Sequence, residues 1–180
     1  MAMVTGQMGI HAEEKDLVLA LDPGRSKTGF AFIKTDGTLL VSGIFPSNER
    51  GKFFDEVFGE RLLFRKLSCW ITEGSLESLA DFSVERIIFI VIGNGTGSKE
   101  FKSYVLERSA ENEHGIFFVD ETNTTLEARK LYWKIHRPGL LTRLIPEGMR
   151  VPPRIIDDLA AWCVGLRGLK EYRDIIGNKL

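Results

Sequence analysis

Acidic residues stand at the ends of predicted elements in three separate segments of the chain. Asp22 follows the apolar run LVLAL, residues 17–21, and Asp120 and Glu121 follow GIFFV, residues 115–119. Asp157 and Asp158 stand near the start of the last predicted helix. Ligands in open α/β sheets bind beyond the carboxyl ends of the strands. We therefore expect these acids to converge on one site.

Converging carboxylates repel one another, and burying them without partners is costly. Hard divalent cations remove that cost, and Mg²⁺ prefers one or two carboxylates together with water and phosphate oxygens. Two such ions about 4 Å apart can activate a water molecule and stabilise the leaving oxygen of a phosphodiester. The pattern therefore favours a metal site with nuclease chemistry.

Each acid also has an ordinary structural interpretation. Asp22 precedes a Pro-Gly pair and suits a turn, and Asp120 could cap the loop that follows it. Asp157 or Asp158 could stabilise the first turn of a helix, where the macrodipole favours negative charge. These alternatives stay open for each residue taken singly.

Positive charge lies close to the acids in sequence. The segment Lys134–Arg154 holds five Lys or Arg residues, one Glu and four prolines, and Arg25 and Lys27 follow Asp22 closely. A cationic rim around an acidic centre would hold a phosphate backbone. The alternative for Lys134–Arg154 is a solvated surface loop. The predicted substrate-binding residues are Arg25, Lys27, Asn94, Thr124, Arg137, Arg143, Arg150 and Arg154.

Two further segments have both a structural and a functional interpretation. VIGNGTGSKE, residues 91–100, predicts a strand, a Gly-rich loop and a helix start. Its backbone N–H groups could hold a phosphate, or the loop could be a tight turn capped by Ser98. In TNTTLEAR, Thr124 and Glu127 fit a capping box, while the threonine hydroxyls could face substrate.

Hydrophobic spacing predicts the elements that position these residues. Three antiparallel strands are expected over 17–21, 28–34 and 39–45, with a hairpin turn at Asp36-Gly37. Helical spacing follows over 48–80, broken near Gly74. Strands over 86–93 and 115–119 then alternate with helices over 99–112, 124–136 and 155–172. This order predicts an α/β fold, an RNase H-like five-stranded mixed sheet flanked by helices.

Composition sets the broad class. The chain has 180 residues, 43% of them apolar, which suits one domain over 17–180 after a leader over 1–16 that we predict to be mobile. A formal net charge of −1 excludes a global basic field. The sequence has no membrane span and no signal-peptide pattern, so we expect a cytoplasmic protein. Cys69 and Cys163 fit neither a disulfide framework nor a metal knuckle, and we expect buried thiols.

Three motifs, in the same order along the chain, resemble one nuclease family. LALDPGRSKTGFA resembles the D-x-G-x-x-x-x-G-x-A opening of YqgF/RuvX-type proteins, which are Holliday junction resolvase-like or pre-16S rRNA nucleases. FVDETNTTLEAR resembles their D-E-R-x-[ST]-T-x-E-A segment, and IIDDLAAW resembles their D-x-x-A-A helix. The resemblance runs from about Leu17 to Arg173. The chain departs from the family at VIGNGTGS, which looks closer to the nuclease-like domain of Tex-type transcription accessory proteins, and at Thr122, where the family has arginine.

The resemblance implies an RNase H-like fold and a nuclease that uses Mg²⁺ or Mn²⁺. It implies structured RNA, such as an rRNA precursor, or branched DNA as substrate. By this resemblance the metal ligands are Asp22, Asp120, Glu121 and Asp157. The catalytic residues are Asp22, Glu121, Asp157 and Asp158, with Asp158 able to share or take over the role of Asp157.

The sequence leaves two other functions open, and the nuclease hypothesis itself allows two substrates. A non-catalytic nucleic-acid-binding module would keep the acids as structural remnants. An actin-like ATPase half also opens with D-x-G-x-x-x-x-G, but the chain is half the needed length and has no second such motif. RNA processing is favoured over junction resolution because the net charge argues against broad duplex binding. A resolvase would be expected to form a homodimer, and that state stays open.

Overall fold

The computed structural model describes residues 16–58, 64–79, 86–95, 98–110 and 115–177. Within these ranges the strands are β1 (Leu17–Pro23), β2 (Lys27–Lys34), β3 (Leu39–Pro46), β4 (Ile71–Gly74), β5 (Ile87–Gly93) and β6 (Gly115–Val119). The helices are α1 (Arg50–Phe58), α2 (Ser98–Ala110), α3 (Thr124–Ile135), α4 (Leu140–Arg143) and α5 (Asp157–Gly177). Residues 1–15 of the predicted leader lie outside the described residues.

The six strands form one mixed sheet in the order β4-β3-β2-β1-β5-β6. β1, β2 and β3 are an antiparallel meander, and β5 and β6 extend the sheet parallel to β1. Without β4, this is the five-stranded RNase H-like arrangement that the sequence predicts, so the predicted fold class is confirmed. None of the helices in the described ranges is long and apolar enough to cross a membrane.

The prediction of helix over 48–80 is wrong at Ile71–Gly74, which forms the edge strand β4. Two glycines explain the difference. Gly43 on β3 has no side chain, so the carbonyl of Trp70 can come close and accept a 2.9 Å hydrogen bond from the N–H of Ile44. Gly74 has a φ of 78°, a conformation that glycine adopts without strain. Residues 59–63 and 80–85 of the predicted helical segment lie outside the described residues.

Strand alternation decides which face of the sheet receives Asp22. Leu17, Leu19 and Leu21 of β1 pack into the aromatic core on the α1 side, while Val18 and Ala20 pack under α5. Because side chains alternate along a strand, Asp22 belongs to the α5 side with Val18 and Ala20. Of the two cysteines, Cys163 is buried as predicted, whereas Cys69 is exposed.

Gly29 brings the start of α5 close to the end of β1. It is the β2 partner of Asp22 in the antiparallel ladder. A methyl group on Gly29 would collide with the backbone carbonyl of Asp157 and lie 3.0 Å from the backbone nitrogen of Asp158. The second glycine of the D-x-G-x-x-x-x-G motif therefore leaves room for the N-terminus of α5.

We expect Gly29→Ala to lower the free energy of unfolding by about 1–3 kcal/mol, because a methyl group at this site can be accommodated only by moving backbone. Urea denaturation followed by circular dichroism measures the effect. Gly139→Ala is the matched control, since a methyl group there meets no atom within 4 Å. Equal loss of stability in the two variants would show that α5 does not depend on this close approach.

Candidate active site

Three of the predicted acids line one open cleft. Asp22 lies at the end of β1, Glu121 follows β6, and Asp157 is the first residue of α5. The cleft has a volume of about 390 Å³, and its other lining residues are Pro23, Gly24, Arg25, Lys27, Thr124 and Thr125. The structure thus brings together one acid from each of the three acidic segments, with two cationic residues beside them.

Glu121 reaches Asp22 by crossing the end of β5, which lies between β1 and β6 in the sheet. Two glycines of the VIGNGTGS segment leave space for this crossing. A methyl group on Gly93 would lie 2.5 Å from Glu121 Oε2 and 3.6 Å from Asp22 Oδ1. A methyl group on Gly95 would overlap Glu121 Oε1. The described glycines of the Gly-rich loop therefore accommodate a carboxylate of the chain itself.

The half-buried side chains of Asp22 and Glu121 lie side by side, and when both carboxyl groups are ionised neither can donate a hydrogen bond to the other. Burial, and then the charge of Glu121, raises the pKa of Asp22 to about 7. Glu121 Oε2 is buried and has no hydrogen-bond partner in the described part of the chain. A proton on Asp22 lets it donate to Glu121. At neutral pH the pair therefore favours the binding of a proton or of another cation.

The chemistry of this donor set fits a hard divalent cation. Carboxylate oxygens are the ligands that Mg²⁺ and Mn²⁺ prefer, and Mg²⁺ commonly takes one or two of them with water and phosphate oxygens. Glu121 Oε2 lies beside Asp22, is buried, and has no hydrogen-bond partner among the described residues, so it is an oxygen available to such a cation. Among the described residues, no three acidic, histidine or cysteine side chains already form a complete metal cage. Asp22 and Glu121 are therefore the core of the candidate site, with Asp157 facing them across the cleft.

Both burial and neighbouring charges change the pKa of Asp157. Burial raises its pKa, Lys27 opposes that shift, and Asp158 adds to it. Asp157 also adds to the rise in the pKa of Asp22, which places the two carboxyl groups within electrostatic reach. Asp157 thus lines the cleft, and its predicted role as a metal ligand stays a prediction.

Asp158, which the sequence predicts to be catalytic, is not part of the cleft lining, and its oxygens have partners elsewhere. Its side chain is 0% exposed and accepts hydrogen bonds from Ser42 Oγ (3.1 Å) and Thr72 Oγ1 (2.6 Å). Arg154 forms an ion pair with it at 2.8 Å and also contacts Glu73 on β4. These contacts make Asp158 a buried link between α5, β3 and β4.

Asp120, a predicted metal ligand, is also not part of the cleft lining. Its side chain is exposed and accepts hydrogen bonds from the backbone N–H of Thr122 at 2.9 Å and from Thr122 Oγ1 at 2.7 Å. These two bonds lower the pKa of Asp120. The structural alternative, a cap for the following loop, describes its position.

The predicted substrate-binding residues divide into two groups. Arg25, Lys27 and Thr124 line the cleft. The others lie outside the cleft lining: Arg137 is exposed, Arg143 and Arg150 bind backbone carbonyls of their own segment, Arg154 is paired with Asp158, and Asn94 contacts Lys102. The carbonyl contacts of Arg143 and Arg150 fold the Lys134–Arg154 segment onto itself. The cationic rim at the cleft thus consists of Arg25 and Lys27.

The predicted capping box at α3 is wrong. The residue before the helix is Asn123, with a left-handed φ of 67° and no side-chain cap bond. Thr124 Oγ1 instead donates to the carbonyl of Glu121 at 2.8 Å, and Glu127 pairs with Arg167 at 2.9 Å. These contacts stabilise the turn that carries Glu121. Arg167, which the sequence analysis does not single out, is therefore part of the surroundings of the site.

Two solved structures of RuvC from Thermus thermophilus are similar to this chain. The first, RuvC in complex with a Holliday junction substrate, matches 90% of this chain and 96% of its own at 16% identity and a TM-score of 0.47. The second, another structure of RuvC, matches 89% of this chain and 96% of its own at 16% identity and a TM-score of 0.45. No family model matches the chain, and no curated protein does. The chemistry of the cleft has to be inferred from its own residues.

The raised pKa of Asp22 predicts that the metal-free protein loses stability as pH rises from about 4 to about 7. Stability is highest below the ordinary pKa, where Asp22 is neutral in both the folded and unfolded states. In EDTA at pH 7.5, we expect Asp22→Asn to raise the free energy of unfolding by on the order of 2 kcal/mol. Urea denaturation at pH 5.0 and 7.5 measures this, with the exposed Asp174→Asn as control. A wild type equally stable at both pH values, with no gain in Asp22→Asn, would contradict the buried acid pair.

The contacts of Asp158 predict a large structural cost for removing it. We expect Asp158→Ala to lower the free energy of unfolding by roughly 3–5 kcal/mol, because it leaves Arg154 partly buried without that partner. Asp120→Ala, at an exposed acid, is the control and should change stability by about 1 kcal/mol or less. Chemical denaturation measures both variants. An Asp158→Ala protein as stable as wild type would restore Asp158 as a candidate for the cleft.

Proposed function

We propose that this protein is a divalent-metal-dependent endonuclease that cleaves structured nucleic acid. The observation that carries the proposal is the adjacent, half-buried pair of Asp22 and Glu121, in which the buried Glu121 Oε2 lacks any hydrogen-bond partner among the described residues. Such a pair is unfavourable by itself at neutral pH and becomes favourable when a cation is bound. Asp22 and Glu121 would hold Mg²⁺ or Mn²⁺, and Asp157 faces them from the start of α5.

The chemistry that such an ion supplies is to lower the pKa of water and stabilise negative charge on the leaving oxygen of a phosphodiester. The chain's own residues bind and orient the substrate around that centre. Lys27 and Arg25 line the same cleft and present positive charge to a phosphate backbone. Thr124 and Thr125, where α3 begins, also line the cleft. The cleft is therefore anion-attracting at its rim and acidic at its centre.

The substrate class proposed is structured RNA, such as an rRNA precursor, or branched DNA. The cleft is open, and the chain has no global positive field, with a formal net charge of −1. Recognition would therefore depend on local contacts at Arg25 and Lys27 rather than on broad attraction to any duplex. Precursor RNA and a four-way DNA junction, the kind of substrate bound in the similar RuvC structure, are the two substrates for the test.

A second candidate function is a nucleic-acid-binding module without catalysis. It is favoured by the contacts of Asp158 and Asp120, two predicted catalytic or metal-binding acids that have structural partners. In that case the cationic residues of the cleft would bind nucleic acid. Wild type would not cleave it, so substitutions of Asp22 or Glu121 would have no cleavage to reduce. Cleavage and binding therefore have to be measured on the same variants.

The test is cleavage of a labelled rRNA precursor and of a four-way DNA junction with Mg²⁺, Mn²⁺ or EDTA. We expect metal-dependent cleavage of one substrate and a loss of more than about 100-fold in Asp22→Asn and Glu121→Gln. Mutating a group that only orients a metal ligand typically lowers metal affinity or activity by about 10–100-fold, so losing a ligand itself should lower activity further. Binding, measured by fluorescence anisotropy, should change by less than about threefold in both variants.

Asp174→Asn is the matched control, because it removes an exposed acid of α5 far along the helix from Asp157. It should cleave like wild type. Binding without cleavage by wild type under every metal condition would favour the binding module. Cleavage that survives both Asp22→Asn and Glu121→Gln would rule out the site.

A further inference from the structure

Arg167 of α5 contacts the loop that carries Glu121 from both sides of that residue. Its guanidinium donates to the backbone carbonyl of Asp120 and, at 2.8 Å, to the carbonyl of Thr122. It also pairs with Glu127 Oε1 of α3 at 2.9 Å. One side chain thus joins α5, the loop after β6 and the first turns of α3.

The same loop is fixed by several other bonds, so its conformation is strongly determined. The carbonyl of Glu121 accepts from the backbone N–H of Thr124 at 3.0 Å and from its Oγ1 at 2.8 Å. With Arg167, the backbone carbonyls of residues 120, 121 and 122 all have donors. Asn123 closes the turn with a φ of 67°, an uncommon conformation for a residue with a side chain.

Glu121 needs this restraint because one of its carboxylate oxygens, Oε2, is buried without a hydrogen-bond partner among the described residues. The carboxylate lies against the positions of Gly93 and Gly95 and beside Asp22. A free loop would let Glu121 turn towards water, where its charge is solvated. Something in the fold has to oppose that rotation, and the bonds to the loop backbone are the contacts available to do so.

We propose that Arg167 is a positioning residue that holds the Glu121 carboxylate in the cleft by binding the carbonyls on either side of it. Arg167 acts through the loop backbone and not through contact with the reacting groups. The consequence for metal binding rests on the proposed function, since it requires that Glu121 is a ligand. The effect of Arg167 on the loop does not depend on the proposed function, because the hydrogen bonds exist in the metal-free chain.

The first experiment measures hydrogen exchange of the loop amides in the metal-free protein. We expect Arg167→Ala to accelerate exchange at Thr122 and Thr124 by at least about 10-fold, because local opening of the turn becomes easier. Arg173→Ala is the matched control: Arg173 is also on α5 and also donates to a backbone carbonyl, that of Thr35 in the β2–β3 turn. It should accelerate exchange in that turn and leave the Glu121 loop unchanged.

The second experiment measures Mn²⁺ affinity by calorimetry on the same proteins. We expect Arg167→Ala to weaken Mn²⁺ binding by roughly 10–100-fold, the usual effect of losing a group that orients a metal ligand. Arg173→Ala should stay within about twofold of wild type. Arg167→Lys, which keeps the charge but donates from one nitrogen, should fall between wild type and Arg167→Ala.

Glu127→Gln separates the ion pair from the carbonyl contacts. It removes the charge partner of Arg167 but leaves the bonds to the carbonyls of Asp120 and Thr122 in place, so Mn²⁺ affinity should change by less than about threefold. If cleavage is observed, Arg167→Ala should lower kcat and leave the KM for nucleic acid within about threefold. A purely structural role would change the unfolding midpoint of Arg167→Ala and of Arg173→Ala alike, without a selective loss of Mn²⁺ affinity.

The outcomes distinguish this inference from the proposed function. Unchanged exchange at Thr122 and Thr124 in Arg167→Ala overturns the positioning role, whatever the metal results. Faster exchange with no Mn²⁺ binding by wild type overturns the proposed function and leaves the loop restraint standing. Faster exchange with Mn²⁺ affinity equal to that of wild type overturns the link between Arg167 and the metal site.

Discussion

Two half-buried acids, Asp22 and Glu121, lie side by side in this fold, and the buried Oε2 of Glu121 has no hydrogen-bond partner among the described residues. Desolvation and mutual repulsion both disfavour their ionised forms, so the folded chain has to enforce their proximity. Much of the local structure serves that end. The result is an open cleft at the end of β1 in which the two acids favour bound positive charge.

Glycines at close approaches make this enforced proximity possible. Gly29 admits the start of α5 next to the end of β1, which places Asp157 opposite Asp22. Gly93 and Gly95 admit the Glu121 side chain across the end of β5. Arg167 and Thr124 then hold the backbone on which Glu121 stands. The geometry of the cleft therefore depends on glycines that leave space as well as on the side chains that line it.

Local patterns in the sequence predict the sheet because alternation and turn residues act over short distances. They place Asp22 at a strand end, Glu121 after another strand and an acid at the start of the last helix. They fail at β4, since pairing of Ile71–Gly74 with β3 depends on Gly43, distant in sequence. They also cannot choose between Asp157 and Asp158. Adjacent helical residues point about 100° apart, and only the position of Arg154 and Ser42 shows which one is used structurally.

Arg167 illustrates the same limit for the site. It lies 47 residues beyond Asp120 and has the spacing of an ordinary surface arginine on a helix, so no local signal connects it to Glu121.

The most direct test of metal binding by Asp22 and Glu121 is anomalous diffraction from crystals grown with Mn²⁺ at pH 7.5. We expect a manganese peak in contact with both Asp22 and Glu121. A peak bound only at Asp120 or Asp158, or none at the cleft, would contradict it.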